Sequence, residues 1–249
     1  MSQKSTRLKL LPILLVQLLG GMFALRIVTF ARQTPASPLP LNVADEGIFD
    51  ISLAGQAVGT EKFKIRSVDG KIEAQAEVLF HLQKNGKTIV LQCLSNLNLD
   101  PQLHPISYTW VQKQPKSSRL TANFGSQRTE VHYKTVTGKE DAREFQLPPD
   151  VVVLDDNLVH HYQIIAARYQ AMGAGKQTLH AFVPQEALPG LLTLVDLGSS
   201  PATLHGKTTD LRHLFITTDL AQVDLWVDNQ QHIQRISVPA TNFEAIRRK

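Results

Sequence analysis

The stretch KIEAQAEVLFHLQKNGKTIVLQCLSNLNLD, residues 71–100, decides the fold. In its first half Ile72, Ala74, Ala76, Val78 and Phe80 alternate with Lys71, Glu73, Gln75 and Glu77. In its second half Ile89, Leu91, Cys93, Ser95, Leu97 and Leu99 share one parity. A repeat of two is the period of a pleated strand, so each half turns one apolar and one polar face outward. Asn85-Gly86 between the halves suits the left-handed positions of a tight hairpin turn. The pattern predicts two long antiparallel strands with one wet face.

The same period extends in both directions. Towards the N-terminus, Phe49, Ile51 and Leu53 alternate with Asp50 and Ser52, and the chain is expected to turn over residues 55–59. Phe63 and Ile65 alternate with Lys62, Lys64 and Arg66, and Asp69-Gly70 marks a second tight turn. Towards the C-terminus, residues 106–112 carry Tyr108 and Trp110 on one face. Leu120, Ala122 and Phe124 form another alternation, and Thr129, Val131 and Tyr133 a third. The charged residues 139–144 are expected to form a solvated loop.

The period changes after Leu147-Pro148-Pro149. Leu158, Tyr162, Ile165 and Tyr169 recur at steps of four, three and four, which aligns them on one stripe of an α-helix. Asp155 or Asp156 is the expected N-cap, and Gly173 or Gly175 the C-terminal stop. This helix is expected to lay its stripe on the sheet. Strands then resume: Leu179, Ala181 and Val183, residues 191–197, residues 208–218, and a closing hairpin through Asp228-Asn229.

The first 31 residues are of another kind. Lys4, Arg7 and Lys9 precede an apolar run over residues 10–25, and no acidic residue occurs before Asp45. A short apolar run behind positive charge is the layout of a secretory signal, being short of the roughly 20 residues a spanning helix needs. Thr29 and Ala31 supply small residues at the −3 and −1 positions of a cleavage site, while Arg26 interrupts the run. Residues 1–31 are therefore expected to be a signal segment or a retained membrane anchor, residues 32–44 a Pro-rich tether, and residues 45–249 one domain. The expected location is periplasmic or secreted, with membrane contact only through the N-terminal segment.

Charge follows the same division. The chain has 26 basic and 22 acidic residues, and four of the basic ones lie in the N-terminal segment with no acid beside them. The remainder is balanced, which gives no reason to expect nucleic acid. Cys93 is the single cysteine, so no internal disulfide can form, and its place in an apolar alternation marks it as a small buried hydrophobe.

No Gly-x-Ser-x-Gly, phosphate loop or His-Glu-x-x-His is present. Asp155, Asp156, His160 and His161 form the one polar cluster, in which Asp156 and His160 stand at the spacing of helical neighbours. A metal-dependent hydrolase centred on that pair is the weakest reading, since capping and packing account for each residue. No cofactor or metal is expected. Phe63, Phe80, Tyr108, Trp110, Phe124 and Tyr162 are large inward-facing side chains. They either fill the core or line a site for a hydrophobic molecule. A long meander has more concave surface than one helix can cover, which keeps the second alternative open.

The order of elements resembles the β-clam, or half-barrel, of the bacterial lipoprotein-carrier proteins and related exported families of unknown function. The residues that carry the resemblance are GIFDISLAGQAVGTEKFKI, residues 47–65, and VDLWVDNQQHIQRISVP, residues 223–239. It implies a mainly β fold, an antiparallel curved sheet with one helix packed against it, and a hydrophobic-ligand role. It brings no catalytic residues across. The reading is thus a non-catalytic envelope protein that binds a lipid-like or other hydrophobic small molecule on a concave sheet. The alternative is an interaction or assembly module that docks an envelope protein.

Overall fold

The computed structural model of the chain describes residues 43–84, 86–155 and 157–248. The expected signal segment and nearly all of the tether lie outside the described residues. Strands dominate: β1 (Asp45–Leu53), β2 (Gln56–Val68), β3 (Lys71–Lys84), β4 (Lys87–Leu99), β5 (Pro105–Gln114), β6 (Ser118–Phe124), β7 (Thr129–Lys134) and β8 (Glu140–Phe145). A short β9 (Val152–Val153), the helix α1 (His161–Met172) and β10 (Gln177–Val183) follow. The chain finishes with β11 (Leu188–Leu204), β12 (Lys207–Thr218), β13 (Gln222–Val227), β14 (Ile233–Val238) and β15 (Phe243–Arg247).

All fifteen strands join one sheet in the order β8-β7-β6-β5-β4-β3-β2-β1-β15-β14-β13-β12-β11-β10-β9. Neighbours in sequence are therefore neighbours in space on each side of a single junction, where β1 pairs with β15. Alternation accounts for this: every long strand has one apolar face, and a meander lets each hairpin bury it beside the last. The turn chemistry agrees. Asp69 and Gly70 have φ of 49° and 75°, the pair of left-handed residues that a two-residue hairpin loop requires.

The junction is clamped by charge. Arg247 Nη2 lies 2.7 Å and 2.8 Å from the two carboxylate oxygens of Asp45, and its guanidinium sits over the rings of Phe49 and Phe63. Burial pushes the Asp45 carboxyl above its ordinary value, with the Arg247 hydrogen bond opposing it. Gly59 faces Ile51 where the β1–β2 register shifts, and a Cβ there would stand 2.1 Å from the Leu79 carbonyl oxygen. Only glycine lets β2 and β3 approach so closely there.

The sheet curls until its two ends meet through side chains. Phe182 of β10 packs against Phe124 of β6 and Phe145 of β8, with ring centroids 6.4 Å and 4.9 Å away. The Tyr133 hydroxyl of β7 donates to the Pro184 carbonyl just beyond β10, at 2.9 Å. The helix α1 is enclosed by this curl. Nine consecutive residues of it, His161 to Tyr169, are buried. A helix resting on one face of a sheet buries residues three and four apart, so an unbroken buried run means surroundings on every side.

Several expectations need correction. The sheet is mixed, because β9 pairs with β10 in parallel while the other ladders are antiparallel. The crossover from β9 through α1 to β10 is what makes that pairing parallel. Residues 139–144 are no loop: β8 occupies Glu140–Phe145 as an edge strand, exposed at five of its six positions. The first turn is tighter than expected, at Ala54-Gly55, with β2 already starting at Gln56. Residues 191–197 belong to a strand of 17 residues, interrupted by a register shift between Asp196 and Ser199. Finally, the β13–β14 hairpin is not the end, since β15 follows and completes the junction with β1.

Candidate functional site

The interior site is built on Glu61. This residue shares the parity of Phe63 and Ile65 on β2, which turns its carboxylate into the apolar face, and it is fully buried. A buried carboxylate needs donors. Glu61 takes three of them from the chain segment entering α1. The backbone N–H of Val159 donates to Oε2 at 2.7 Å, and that of His160 to Oε1 at 2.7 Å. The His160 ring adds its Nδ1, 2.9 Å from Oε1. With both Glu61 oxygens already accepting N–H groups, Nδ1 of His160 is the donor in that contact.

Glu61 thus serves as the cap of α1 from the inner face of β2. It satisfies donors that open the helix, and its negative charge faces the positive end of the helix dipole. The expected caps do not act there. His160 holds the capping position without a side-chain cap bond, and the Asp155 Oδ1 accepts instead from the backbone N–H of Gln185, at 3.2 Å. Asp156 lies outside the described residues. Leu158, placed on the helical stripe by the sequence, precedes the helix and is buried in the entering segment. At the other end Gly173, with φ 98°, donates its N–H to the Gln170 carbonyl, as one of the two expected stops.

Around Glu61 the inner face carries a file of rings that runs from β1 to β5. Phe49 stacks on Phe63 at 5.4 Å, Phe63 on His160 at 6.3 Å, His160 meets His161 at 4.5 Å, and His161 meets Tyr108 edge-on at 5.7 Å. Both histidines are fully buried. Neither ring nitrogen of His161, nor Nε2 of His160, has a hydrogen-bond partner among the described residues. Burial holds His161 well below its ordinary pKa, and the neighbouring His160 adds to that. The file fits because β3 and β4 present small side chains between the aromatic ones: Ala74, Ala76, Cys93 and Ser95. Desolvation pushes the Cys93 thiol up to about 12, so it is inert in the folded protein.

Three side chains of α1 make four further hydrogen bonds. Gln163 accepts the Ile233 N–H at 2.8 Å and donates to the Gln231 carbonyl at 2.7 Å. Arg168 donates to the Asp150 carbonyl at 2.7 Å, and the Tyr169 hydroxyl to the Gly175 carbonyl at 2.7 Å. The first turn of the helix is therefore tied to β14, and its last turns to the segments that flank it.

Of the six side chains nominated for a hydrophobic site, Phe63, Phe80, Tyr108 and Tyr162 are buried in the core, while Trp110 and Phe124 are partly buried against it. Phe63 and Tyr108 are joined through the two histidines. Phe80 lies opposite Gly59, and Phe124 belongs to the seam with Phe182. The six do not converge on one open pocket; the helix and their neighbours cover them. Sequence reasoning missed Glu61. Its signal was there: an acid on the parity of Phe63 and Ile65 in an otherwise apolar face.

Among the described residues no group of three His, Cys, Asp or Glu side chains is placed to hold a metal ion. No helix among them is long and apolar enough to cross a membrane.

No protein-family model matches the chain, and no curated protein matches it in sequence. A solved structure of similar shape is that of a DUF1089 family protein from Pseudomonas aeruginosa. It is 13% identical, the likeness covers 87% of this chain and 97% of that one, and the TM-score is 0.46. That neighbour is mainly β, and it does not confirm the resemblance to the lipoprotein carriers.

Proposed function

We propose that this chain is a non-catalytic envelope protein that holds a hydrophobic or amphiphilic, lipid-like molecule on the inner face of its curved sheet. In the ligand-free form α1 occupies that face. The observation that carries the reading is the chemistry of the occupant. A helix that only filled a core would do so best with apolar side chains, yet α1 and its entry bury His160, His161, Gln163 and Arg168. Buried polar groups cost stability compared with apolar ones of the same shape, and that cost makes an element easier to displace. The sheet offers an apolar inner surface that includes the buried Ala74, Val78, Leu97 and Ala122. The envelope location rests on the basic and apolar N-terminal sequence.

Lipid extraction of protein purified from its native compartment, read by mass spectrometry, tests this. A stoichiometric amphiphile in the extract supports it. Protein that is free of lipid and that also excludes a dansyl-labelled fatty acid contradicts it.

One observation favours docking of an envelope protein as a second reading. The outer face across β2–β5 has an open groove of about 480 Å³, lined by Lys62, Lys64, Glu77, Leu94, Asn96 and Val111 among others. Mixed charge around two apolar side chains is the composition of a rim where proteins meet.

A further inference from the structure

We propose that Glu61, His160 and His161 form a proton-operated latch that keeps α1 seated in the curved sheet and releases it on acidification. This inference rests on the ligand reading above and names how the same site is regulated.

The geometry supplies the parts. Glu61 of β2 grips the start of α1 by three bonds of 2.7–2.9 Å, and all three come from the entering segment, none from the sheet. His161 follows at once in the chain. It is buried, and its two ring nitrogens have no partner among the described residues. A second proton on this ring would place a cation there with nothing to accept its N–H groups.

The groups that face it decide the sign. From β5 the facing group is Tyr108, which meets the His161 ring by its edge. From α1's own entry it is His160, whose added proton would repel one on His161. From β2 it is Glu61, which reaches His161 only through His160 and has both oxygens already engaged. From β4 the same inner face presents Cys93, whose thiol stays neutral. Asp155, buried just ahead of α1, acts on that thiol, and the charge that acts on His161 is that of His160. The seated helix therefore excludes the proton, and the released helix, with His161 in water, takes it up. Gly173 and Gly175, at φ 98° and 105°, end α1 in backbone conformations that glycine adopts without strain.

An imidazole in water has a pKa near 6.5, so below that value each pH unit raises the released population by up to about tenfold for one proton taken up. The test is hydrogen exchange of the full chain between pH 7.5 and pH 5, corrected for intrinsic exchange. Exchange over residues 161–169 should rise by up to about tenfold per unit below 6.5, while β3 and β4 keep their protection. His161→Leu should remove that pH dependence with the helix still seated. Glu61→Gln should raise exchange in α1 already at pH 7.5. Equal protection of α1 at both pH values overturns the latch, as does loss of α1 and sheet protection together. Adding the dansyl-labelled fatty acid at pH 5 separates the two claims. Release of α1 without uptake of the probe keeps the latch and removes the ligand reading.

Discussion

His160 Nδ1 lies 2.9 Å from Oε1 of Glu61, a residue 99 positions earlier, and neither side chain is exposed to solvent. The bond joins the second strand to the start of the only α-helix among the described residues. It makes the seating of that helix depend on one buried acid.

Removing the acid is expected to be costly in proportion to what it leaves unpaired. Glu61→Ala strands two backbone N–H groups and one ring N–H in an apolar interior, a loss of about 3–5 kcal/mol by analogy with broken buried pairs. Glu61→Gln keeps an acceptor of similar shape and should lose about 2 kcal/mol, the worth of a hydrogen bond to a charged group. Urea unfolding of the three proteins gives the comparison. Equal stability of the alanine variant and the parent would show that the clasp contributes nothing.

Stability should fall in acid for a reason specific to His161. Its folded pKa is held below the ordinary value near 6.5, so the unfolded chain binds the proton first. The stabilising contribution is complete above about pH 6.5 and is lost progressively as the pH falls below it, at about 1.4 kcal/mol per unit. Asp45 works in the opposite direction. Its raised carboxyl contributes stability below its ordinary 3.8 and loses it as the pH rises through the folded value. Comparing the parent with His161→Leu at pH 7.5 and 5.5 cancels Asp45, which both carry. The parent should lose stability relative to the variant on acidification.

Cys93 is expected to resist alkylation in the native protein. With its thiol pushed up to about 12, almost no thiolate exists at pH 8, and the residue is buried in β4. Labelling by iodoacetamide should be slow in buffer and rapid in denaturant. Fast labelling of the folded protein would mean that the inner face is open.

The seam between the sheet's two ends should matter as much as a ladder. Phe182→Ala deletes the ring that Phe124 and Phe145 share, a loss of about 3–5 kcal/mol if the gap does not collapse. Tyr133→Phe removes only the bond to the Pro184 carbonyl and should cost about 1 kcal/mol. Thermal unfolding of both variants is the measurement.

Much of this was legible in the sequence, for physical reasons that also mark the limits. Long strands with one wet face announce themselves by parity, as Ile72 to Phe80 and Ile89 to Leu99 do. The strand β8 has no apolar face to alternate, so its charged residues read as a loop. In β11 the register shift around Asp196–Ser199 breaks the parity and hid its length. The helix was visible by its period, but its cap was not. Asp155 satisfies the local rule for a cap, whereas the residue that acts is Glu61; parity marks it as an inward-facing acid, but nothing local names a partner 99 residues away. The curl of the sheet depends on Phe182 meeting Phe124 and Phe145, which is again a long-range fact.

The central claim is that the place now filled by α1 is the place a lipid-like molecule takes. Hydrogen exchange of the full chain, with and without saturating dansyl-labelled fatty acid, tests it most directly. Binding should strip protection from residues 161–169 and leave the ladders of β3 and β4 protected. Probe bound with α1 still fully protected, or no binding at any pH at which the sheet is intact, would contradict it.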